Sequence, residues 1–176
     1  MPANKPALIL VGMPGSGKTT IGQAVAAARN IPFLDSDHRI AAEYGKACGE
    51  VFAEVGEHRF REIEQNIIAA LLGETGVVSL GGGAVITPAT RKRLANHHVV
   101  WLHVSPEVGV ARSLRDGGRP LLAGTDPYRV YTKLYNERQD FFAEVATHIL
   151  HTSDLNEAEV IAQVQELIAA HDAEGS

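Results

Sequence analysis

The sequence predicts an α/β domain whose parallel sheet is covered by helices on both faces. Short apolar runs alternate with helix-forming segments along the 176 residues, which is the pattern of parallel strands joined by helical crossovers. The first apolar run also leads through a glycine-rich loop into an alanine-rich segment, as in a nucleotide-binding strand–loop–helix unit. Because the chain has no repeats or interdomain linkers, we expect a single domain over residues 1–176.

Apolar runs and helical periodicity predict the order of the elements. The candidate strands lie at 7–12, 31–35, 77–80, 99–104 and 147–151. An alanine-rich segment predicts a helix from Thr20 to Arg29. The clearest later helix is 58–72, where apolar residues recur at the three- and four-residue spacing of one buried face. A last helix is expected at about 156–171, because Asn156 and Glu159 have the spacing of a capping box.

Residues Gly12 to Thr19 have the sequence G-x-x-x-x-G-K-T, a complete phosphate-binding loop. Its glycines let the backbone turn successive N–H groups toward phosphate oxygens, and the N-terminus of the next helix adds partial positive charge. A glycine-rich turn that binds nothing is the alternative, and the complete motif in this context argues against it. The loop predicts a nucleoside triphosphate bound with Mg²⁺, with Lys18 on the phosphates and the Thr19 hydroxyl on the metal. The candidate nucleotide-binding residues are Gly15, Ser16, Gly17, Lys18, Thr19 and Thr20.

Two aspartates follow the second candidate strand, whereas the third strand ends in a triple glycine at 81–83 without an acid. Asp35 and Asp37 are separated by one residue, so both carboxylates can face the same side as the chain leaves the strand. Asp35 is the candidate for Mg²⁺, directly or through water, and Asp37 is the candidate acceptor for a proton from a substrate hydroxyl. The alternative is structural, with Asp37 as the N-cap of the helix that follows.

Arginines supply the other half of the predicted site. Three consecutive glycines at a strand end either form a plain turn or allow an anion or hydroxyl to approach the backbone closely. Arg61, Arg119 and Arg138 are each compatible with a solvated surface charge. Together with Asp37, they fit a small hydroxylated substrate whose carboxylate is held by a guanidinium fork. Arg119 lies in a glycine-flanked segment, 113–125, whose composition suits a lid.

Composition restricts the partners and the compartment. The formal net charge of −5 disfavours a nucleic-acid partner, which usually requires a basic face. Cys48 is the single cysteine, so we expect a reducing compartment and a small buried side chain rather than a nucleophile. No apolar signal region or membrane-spanning run is found, so the expectation is a cytoplasmic protein without a membrane partner.

These residues resemble one family, the shikimate kinases, over nearly the whole chain. Besides the phosphate loop, four motifs carry the resemblance in matching order and spacing, namely Leu34 to Asp37, Phe60 to Glu64, Leu80 to Val85 and Arg119 to Gly124. The resemblance implies a three-layer α/β/α fold with five parallel strands in the order 2-3-1-4-5, substrate-binding helices at about 38–72, and a closing lid. It also implies ATP-dependent, Mg²⁺-assisted phosphorylation of the shikimate 3-hydroxyl, giving shikimate 3-phosphate and ADP in aromatic amino acid biosynthesis.

The resemblance assigns roles on the substrate side of the site. Asp37 is similar to the residue that holds the substrate hydroxyls, with backbone contacts from Gly82 and Gly83. Arg61 and Arg138 resemble the clamp on the substrate carboxylate.

The nucleotide side follows from the same resemblance. Lys18 and Arg119 are similar to the pair that meets the transferred phosphoryl group, and Arg112 resembles the adenine-side arginine. On the substrate side, Glu64 resembles the local partner of Arg61 and a neighbour of the substrate. The chain departs from the family pattern at 151–157, which lacks the arginine and proline that many members bring to the adenine.

Two alternatives stay open on the sequence. A gluconate-type sugar-acid kinase also pairs a phosphate loop with a hydroxylated acid, although the triple glycine and the Arg119 to Leu122 segment favour shikimate. A catalytically inactive, kinase-like binding protein is the second alternative, and retention of the lysine, aspartates and arginines named above argues against it. We expect a monomer.

Overall fold

The sheet consists of five parallel strands. The computed structural model describes residues 4–115 and 126–175, and the strands in them are β1 (Leu8–Val11), β2 (Phe33–Asp35), β3 (Val77–Ser79), β4 (Val99–His103) and β5 (His148–His151). Their spatial order is β2-β3-β1-β4-β5, and every neighbouring pair is parallel. The predicted fold class and strand order are confirmed, with each strand one or two residues shorter than its predicted range.

Helices connect the strands and cover the sheet. They are α1 (Lys18–Arg29), α2 (Ser36–Tyr44), α3 (Cys48–Leu71), α4 (Pro88–Leu94), α5 (Pro106–Arg115), α6 (Pro127–Val145) and α7 (Glu157–Glu174), with a 3₁₀ turn at Ala84–Ile86. None of the helices in the two described ranges combines the length and the hydropathy that a membrane span requires.

The three predicted helices are present with shifted ends. The predicted helix 58–72 is the second part of α3, which bends at Gly56, where φ is 82° and ψ is 166°. This positive φ favours glycine, so the bend position follows from the residue. The first part of α3 lies within 38–72, where the family resemblance implies helices but the apolar periodicity does not mark one. The capping box at the start of α7 is confirmed, because the Asn156 side chain accepts from the Glu159 N–H while the Glu159 carboxylate accepts from the Asn156 N–H.

Both faces of the sheet are buried. In β1, Ile9 and Val11 pack into one apolar cluster, while Leu8 and Leu10 pack into a second cluster on the opposite face. This alternation follows from the two-residue period of a strand, and burial on both faces explains the uninterrupted apolar sequence of β1. The central strand β1 is therefore held by packing on both faces, which fixes the position where the phosphate loop begins.

Three candidate segments leave the same edge of the sheet. Ser79 at the end of β3 is in register with Leu10 of β1 on one side and with Asp35 of β2 on the other. The phosphate loop, the two aspartates and the triple glycine therefore begin at the carboxyl ends of three adjacent strands. In open parallel sheets this edge is where ligands bind.

Candidate active site

The phosphate loop curves tightly between β1 and α1. Gly15 has a φ of 79° and Gly17 a φ of 91°, both in the left-handed region that favours glycine. Gly17 is the N-cap of α1 and offers no side chain to cap it. A helix N-terminus without a side-chain cap is a position suited to an anion such as a phosphate.

Lys18 is held by the loop that carries it. Its Nζ donates to the carbonyl oxygens of Gly12 at 2.8 Å and Met13 at 3.1 Å, and it lies 3.5 Å from Ser16 Oγ. The side chain is largely buried, with the whole residue 9% exposed. A desolvated ammonium interacts more strongly with a phosphate than a solvated one, as the predicted role of Lys18 requires.

Two cavities flank the phosphate loop and share Gly15, Gly17 and Thr20. The first, of about 460 Å³, joins the loop to the aspartates and the triple glycine; its lining includes Lys18, Thr19, Asp35, Asp37, Gly81 and Gly82. The second, of about 300 Å³, lies on the side of α5 and α7, and its lining includes Arg112, Arg115, Thr152, Leu155, Asn156 and Val160. The structure thus brings together the predicted phosphate, aspartate and glycine residues, and places Arg112 beside the atypical 151–157 segment.

Asp35, not Asp37, is the N-cap of α2. Asp35 Oδ1 accepts a hydrogen bond of 3.1 Å from the His38 N–H, whereas Asp37 lies within the first turn of the helix. The capping alternative for Asp37 is therefore wrong. The two carboxylates were expected to face one side because of strand alternation, and this reason is also wrong. β2 ends at Asp35, and the chain turns directly into a helix instead of continuing as a strand. Both residues nevertheless line the first cavity.

Asp37 is surrounded by groups that the sequence analysis does not connect with it. The Cys48 thiol donates to Asp37 Oδ1 across 3.5 Å, and burial together with the Asp37 charge raises the pKa of that thiol. Ser36 is buried, and its Oγ accepts a 2.9 Å hydrogen bond from the Gly81 N–H. A β-carbon on Gly81 would overlap Asp37 Oδ1. No local sequence signal marks Ser36 or Cys48, because both contacts depend on how α2, α3 and the loop after β3 pack.

Each residue of the triple glycine meets a different functional side chain. Gly81 lies against Asp37, as described above. A β-carbon on Gly82 would lie 3.1 Å from Pro14 Cδ and 3.6 Å from Arg138 Nη1, and one on Gly83 would lie 2.5 Å from Arg61 Nη2. Close packing against Asp37 and Arg61 therefore explains Gly81 and Gly83, whereas the nearest atom at Gly82 is Pro14 Cδ.

Arg61 and Arg138 both lie near the buried Glu64; Arg138 is buried and Arg61 is partly buried. Arg61 Nη1 donates to Glu64 Oε1 at 2.8 Å, which confirms the predicted local pairing on α3. Burial raises the pKa of Glu64, opposed by the positive charges of Arg61 and Arg138. Burial and the charge of Arg61 lower the pKa of Arg138.

This pair has unused hydrogen-bond donors. The Nε atoms of Arg61 and Arg138 are both buried and have no hydrogen-bond partner among the described residues. A buried charged donor without a partner is costly, and a carboxylate would satisfy it. Two guanidinium groups beside one buried carboxylate therefore form a site suited to an anion.

Two predicted features stand apart from this geometry. Arg119 lies outside the described residues, as does the predicted lid segment from 116 onward. The described residues contain no cluster of three or more histidine, cysteine, aspartate or glutamate side chains able to hold a metal by themselves. A Mg²⁺ bound with a nucleotide takes most of its ligands from phosphates and water, so its site needs only one or two protein groups. Thr19 and Asp35, the two candidate Mg²⁺ residues, both line the first cavity.

Comparison with known proteins finds relatives over almost the whole chain. A family model described as "Shikimate kinase" matches residues 14–169. The chain is 45% identical over 160 residues to a shikimate kinase from Corynebacterium efficiens. The aligned region covers 91% of this chain and 95% of that relative. The solved structure of shikimate kinase from Acinetobacter baumannii in complex with shikimate superposes with a TM-score of 0.86 at 30% identity, covering 96% of this chain and 94% of that one.

A more distant likeness extends to another kinase. The structure of a gluconokinase from Sinorhizobium meliloti covers 96% of this chain and 94% of its own, with a TM-score of 0.64 and 18% identity. At that identity the likeness concerns the fold alone.

Proposed function

The chain belongs to the shikimate kinase family, and we propose that it transfers the γ-phosphoryl group of ATP to the 3-hydroxyl of shikimate. The products are shikimate 3-phosphate and ADP, on the route to aromatic amino acids. One observation carries the proposal: Gly82 lines the cavity that joins the phosphate loop to Asp37 and also lies against Arg138, which together with Arg61 carries an unpartnered Nε donor. A phosphate donor, a hydroxyl acceptor and a carboxylate anchor are thereby provided within one site.

The nucleotide half of the site belongs to the phosphate loop. Residues Gly15 to Thr20 would bind the phosphates through backbone N–H groups, with Lys18 as a positive charge on the transferred group. Thr19 and Asp35 would hold Mg²⁺, which supplies charge neutralisation on the phosphates when bound. Arg112 lines the second cavity together with the segment after β5, and there its planar guanidinium suits stacking on the adenine.

The substrate half is built around Asp37 and the arginine pair. Asp37 would accept the proton of the attacking hydroxyl, as expected for a carboxylate beside an alcohol in a kinase. Arg61 and Arg138 would clamp the shikimate carboxylate, while Glu64 fixes the direction of the Arg61 fork. Gly82 and Gly83 would bring their backbone close to the substrate, since both already lie against the arginines.

The remaining parts of the proposal extend the family resemblance. Arg119 would close over the γ-phosphoryl group from a lid at about 113–125, stabilising charge in the transition state and excluding water. The helices over residues 38–72 would form the substrate-binding region of a single domain. We also propose a monomeric, cytoplasmic enzyme.

A turnover assay with two acids tests the function and its alternatives. ADP release from ATP and Mg²⁺ is followed with shikimate or with gluconate, and Lys18→Met serves as the control for contaminating kinases. We expect ADP release with shikimate but not with gluconate. We expect no ADP release from the Lys18→Met variant. Faster turnover with gluconate would establish the sugar-acid alternative. Absence of turnover with either acid, in a protein that still binds ATP, would establish an inactive binding protein.

A further inference from the structure

We propose that Tyr131 is a positioning residue for the phosphate loop, because its hydroxyl fixes the Pro14–Gly15 peptide so that the Gly15 N–H points toward the nucleotide. This inference rests on the proposed use of the loop for ATP. It concerns nucleotide binding, and so it does not depend on which acid is phosphorylated.

The hydroxyl of Tyr131 is enclosed where three segments meet. Tyr131 lies on α6 and is fully buried, and its hydroxyl donates to the Pro14 carbonyl oxygen at 2.6 Å. On α5, Gly109 faces the same hydroxyl so closely that a β-carbon there would overlap it. A β-carbon on Gly15 would lie 2.6 Å from both the Gly109 carbonyl oxygen and Ser113 Oγ. The loop, α5 and α6 are therefore packed together at the Pro14–Gly15 peptide.

The hydrogen bond to the Pro14 carbonyl also fixes the direction of the Gly15 N–H, because both groups belong to one peptide. The described residues contain no cis peptide bond, and in a planar trans peptide the carbonyl and the following N–H point in opposite directions. Holding the Pro14 carbonyl toward α6 therefore directs the Gly15 N–H away from α6. Gly15 lines both of the cavities that flank the phosphate loop, so its N–H is one of the groups expected to bind phosphate.

The loop needs an external support at this position. Gly15 has a φ of 79°, and glycine enters both halves of the φ range at little cost, so the peptide before it can rotate easily. A buried hydrogen bond from a rigid aromatic side chain removes that freedom before the nucleotide arrives. Preorganisation of this kind improves affinity by reducing the ordering that binding requires.

The same helix also contacts the substrate side. Arg138 lies seven residues, or about two turns, after Tyr131, so both residues project from one face of α6. Arg138 approaches Gly82, which in turn lies against Pro14. One face of α6 thus contributes an arginine to the anion site and a hydroxyl to the phosphate loop.

A matched pair of tyrosines tests the proposal. Tyr131→Phe removes the hydroxyl at the loop, and Tyr135→Phe, one turn later on α6, removes a hydroxyl that lies 2.8 Å from His103 Nε2 instead. Calorimetric titration of each variant with ADP and Mg²⁺ measures nucleotide affinity without turnover. We expect Tyr131→Phe to weaken ADP binding by about three- to tenfold, the scale of one net hydrogen bond. Tyr135→Phe should stay within about twofold of the parent protein, a change too small to represent a lost loop contact.

A second variant reaches the same contact from α5. Gly109→Ala places a methyl group against the Tyr131 hydroxyl and should displace it from Pro14 while the tyrosine is retained. Gly109→Ala should weaken ADP binding to a similar extent. If Tyr131→Phe does not fold, the ADP affinity of Gly109→Ala alone tests the proposal. Shikimate affinity without nucleotide should change less than ADP affinity in both variants.

The outcomes separate positioning from a structural role. Lower melting temperature with unchanged ADP affinity in Tyr131→Phe and Gly109→Ala would overturn the proposal. Equal loss of ADP affinity in Tyr131→Phe and Tyr135→Phe would also overturn it, because the effect would then belong to α6 as a whole. A chain that binds ADP normally but phosphorylates no shikimate would contradict the proposed function and leave this test intact.

Discussion

At the scale of single residues, substrate recognition depends on how a guanidinium group is presented. Arg61 is partly buried and pairs with the buried Glu64, whereas Arg59, two residues earlier on α3, makes an equivalent i,i+3 pair with Glu62 in solvent. Exposed pairs of this kind contribute little, while a buried fork fixes both position and direction. The two arginines therefore provide a site variant and a matched control on the same helix.

We expect Arg61→Lys to raise the shikimate KM more than it lowers kcat, because a point charge replaces a two-pronged donor far from the reacting hydroxyl. Arg59→Lys should leave both constants close to those of the parent enzyme. Steady-state kinetics at saturating ATP measures both constants. A fall in kcat with unchanged KM would show that Arg61 acts on the transition state instead.

Asp37 is expected to act on the chemistry and not on nucleotide affinity. Asp37→Asn keeps the shape of the side chain but removes the proton acceptor, so kcat should fall by roughly 10²- to 10⁴-fold. Asp140→Asn, an exposed position on α6, is the control for a generic loss of negative charge. If Asp37→Asn changed only the ATP KM, the placement of Asp37 at the substrate hydroxyl would be wrong.

At the scale of elements, the triple glycine acts as a packing surface for the site. Gly83 has a φ of −101°, so alanine fits its backbone without strain, and the three atoms nearest to a β-carbon there all belong to Arg61. Gly83→Ala should displace the Arg61 guanidinium and raise the shikimate KM several-fold at an unchanged ATP KM. Gly73→Ala is the control, because the nearest atom to a β-carbon there is 3.5 Å away. Unchanged shikimate kinetics in Gly83→Ala would show that Arg61 moves aside without consequence.

The elements also show which features a sequence reveals. The phosphate loop, the five strands and the α7 capping box were predictable, because each is written in consecutive residues with a fixed spacing. The contacts of Asp37 with Cys48 and of Tyr131 with Pro14 were not, since they join residues 11 and 117 positions apart. The first part of α3 was expected only from the family resemblance, because the apolar periodicity marks the helix after Gly56 and not before it.

At the scale of the whole molecule, a histidine cluster ties the sheet to the C-terminal helix. His98 is buried just before β4, stacks on His171 of α7 at 4.2 Å between ring centroids, and meets His148 of β5 edge-on at 5.6 Å. Burial, together with the charges of His171 and His148, lowers the pKa of His98 to about 4, against the opposing effect of Asp172.

This cluster predicts loss of stability in mild acid. The unfolded chain takes up a proton at His98 below about pH 6.5, whereas the folded protein does so only near pH 4, so the free energy of unfolding falls between these values. Urea unfolding should show a contribution of about 1–2 kcal/mol lost from pH 7.5 to pH 5, after allowance for solvent screening.

Two variants assign that loss to its source. His98→Phe keeps a ring to stack on His171 but cannot be protonated, so its stability should change less with pH over the same range. His58→Gln alters an exposed histidine and should keep the pH dependence of the parent protein. Identical pH dependence in His98→Phe and the parent protein would exclude His98 as the source.

The central claim is that one site delivers the γ-phosphoryl group of ATP to a hydroxyl of shikimate held through its carboxylate. Phosphorus NMR of a reaction with ATP, Mg²⁺ and shikimate tests this claim most directly. We expect one new phosphomonoester signal for each ADP formed, coupled to the proton on carbon 3 of shikimate. A signal for inorganic phosphate in its place, or a phosphoester at another carbon, would contradict the account.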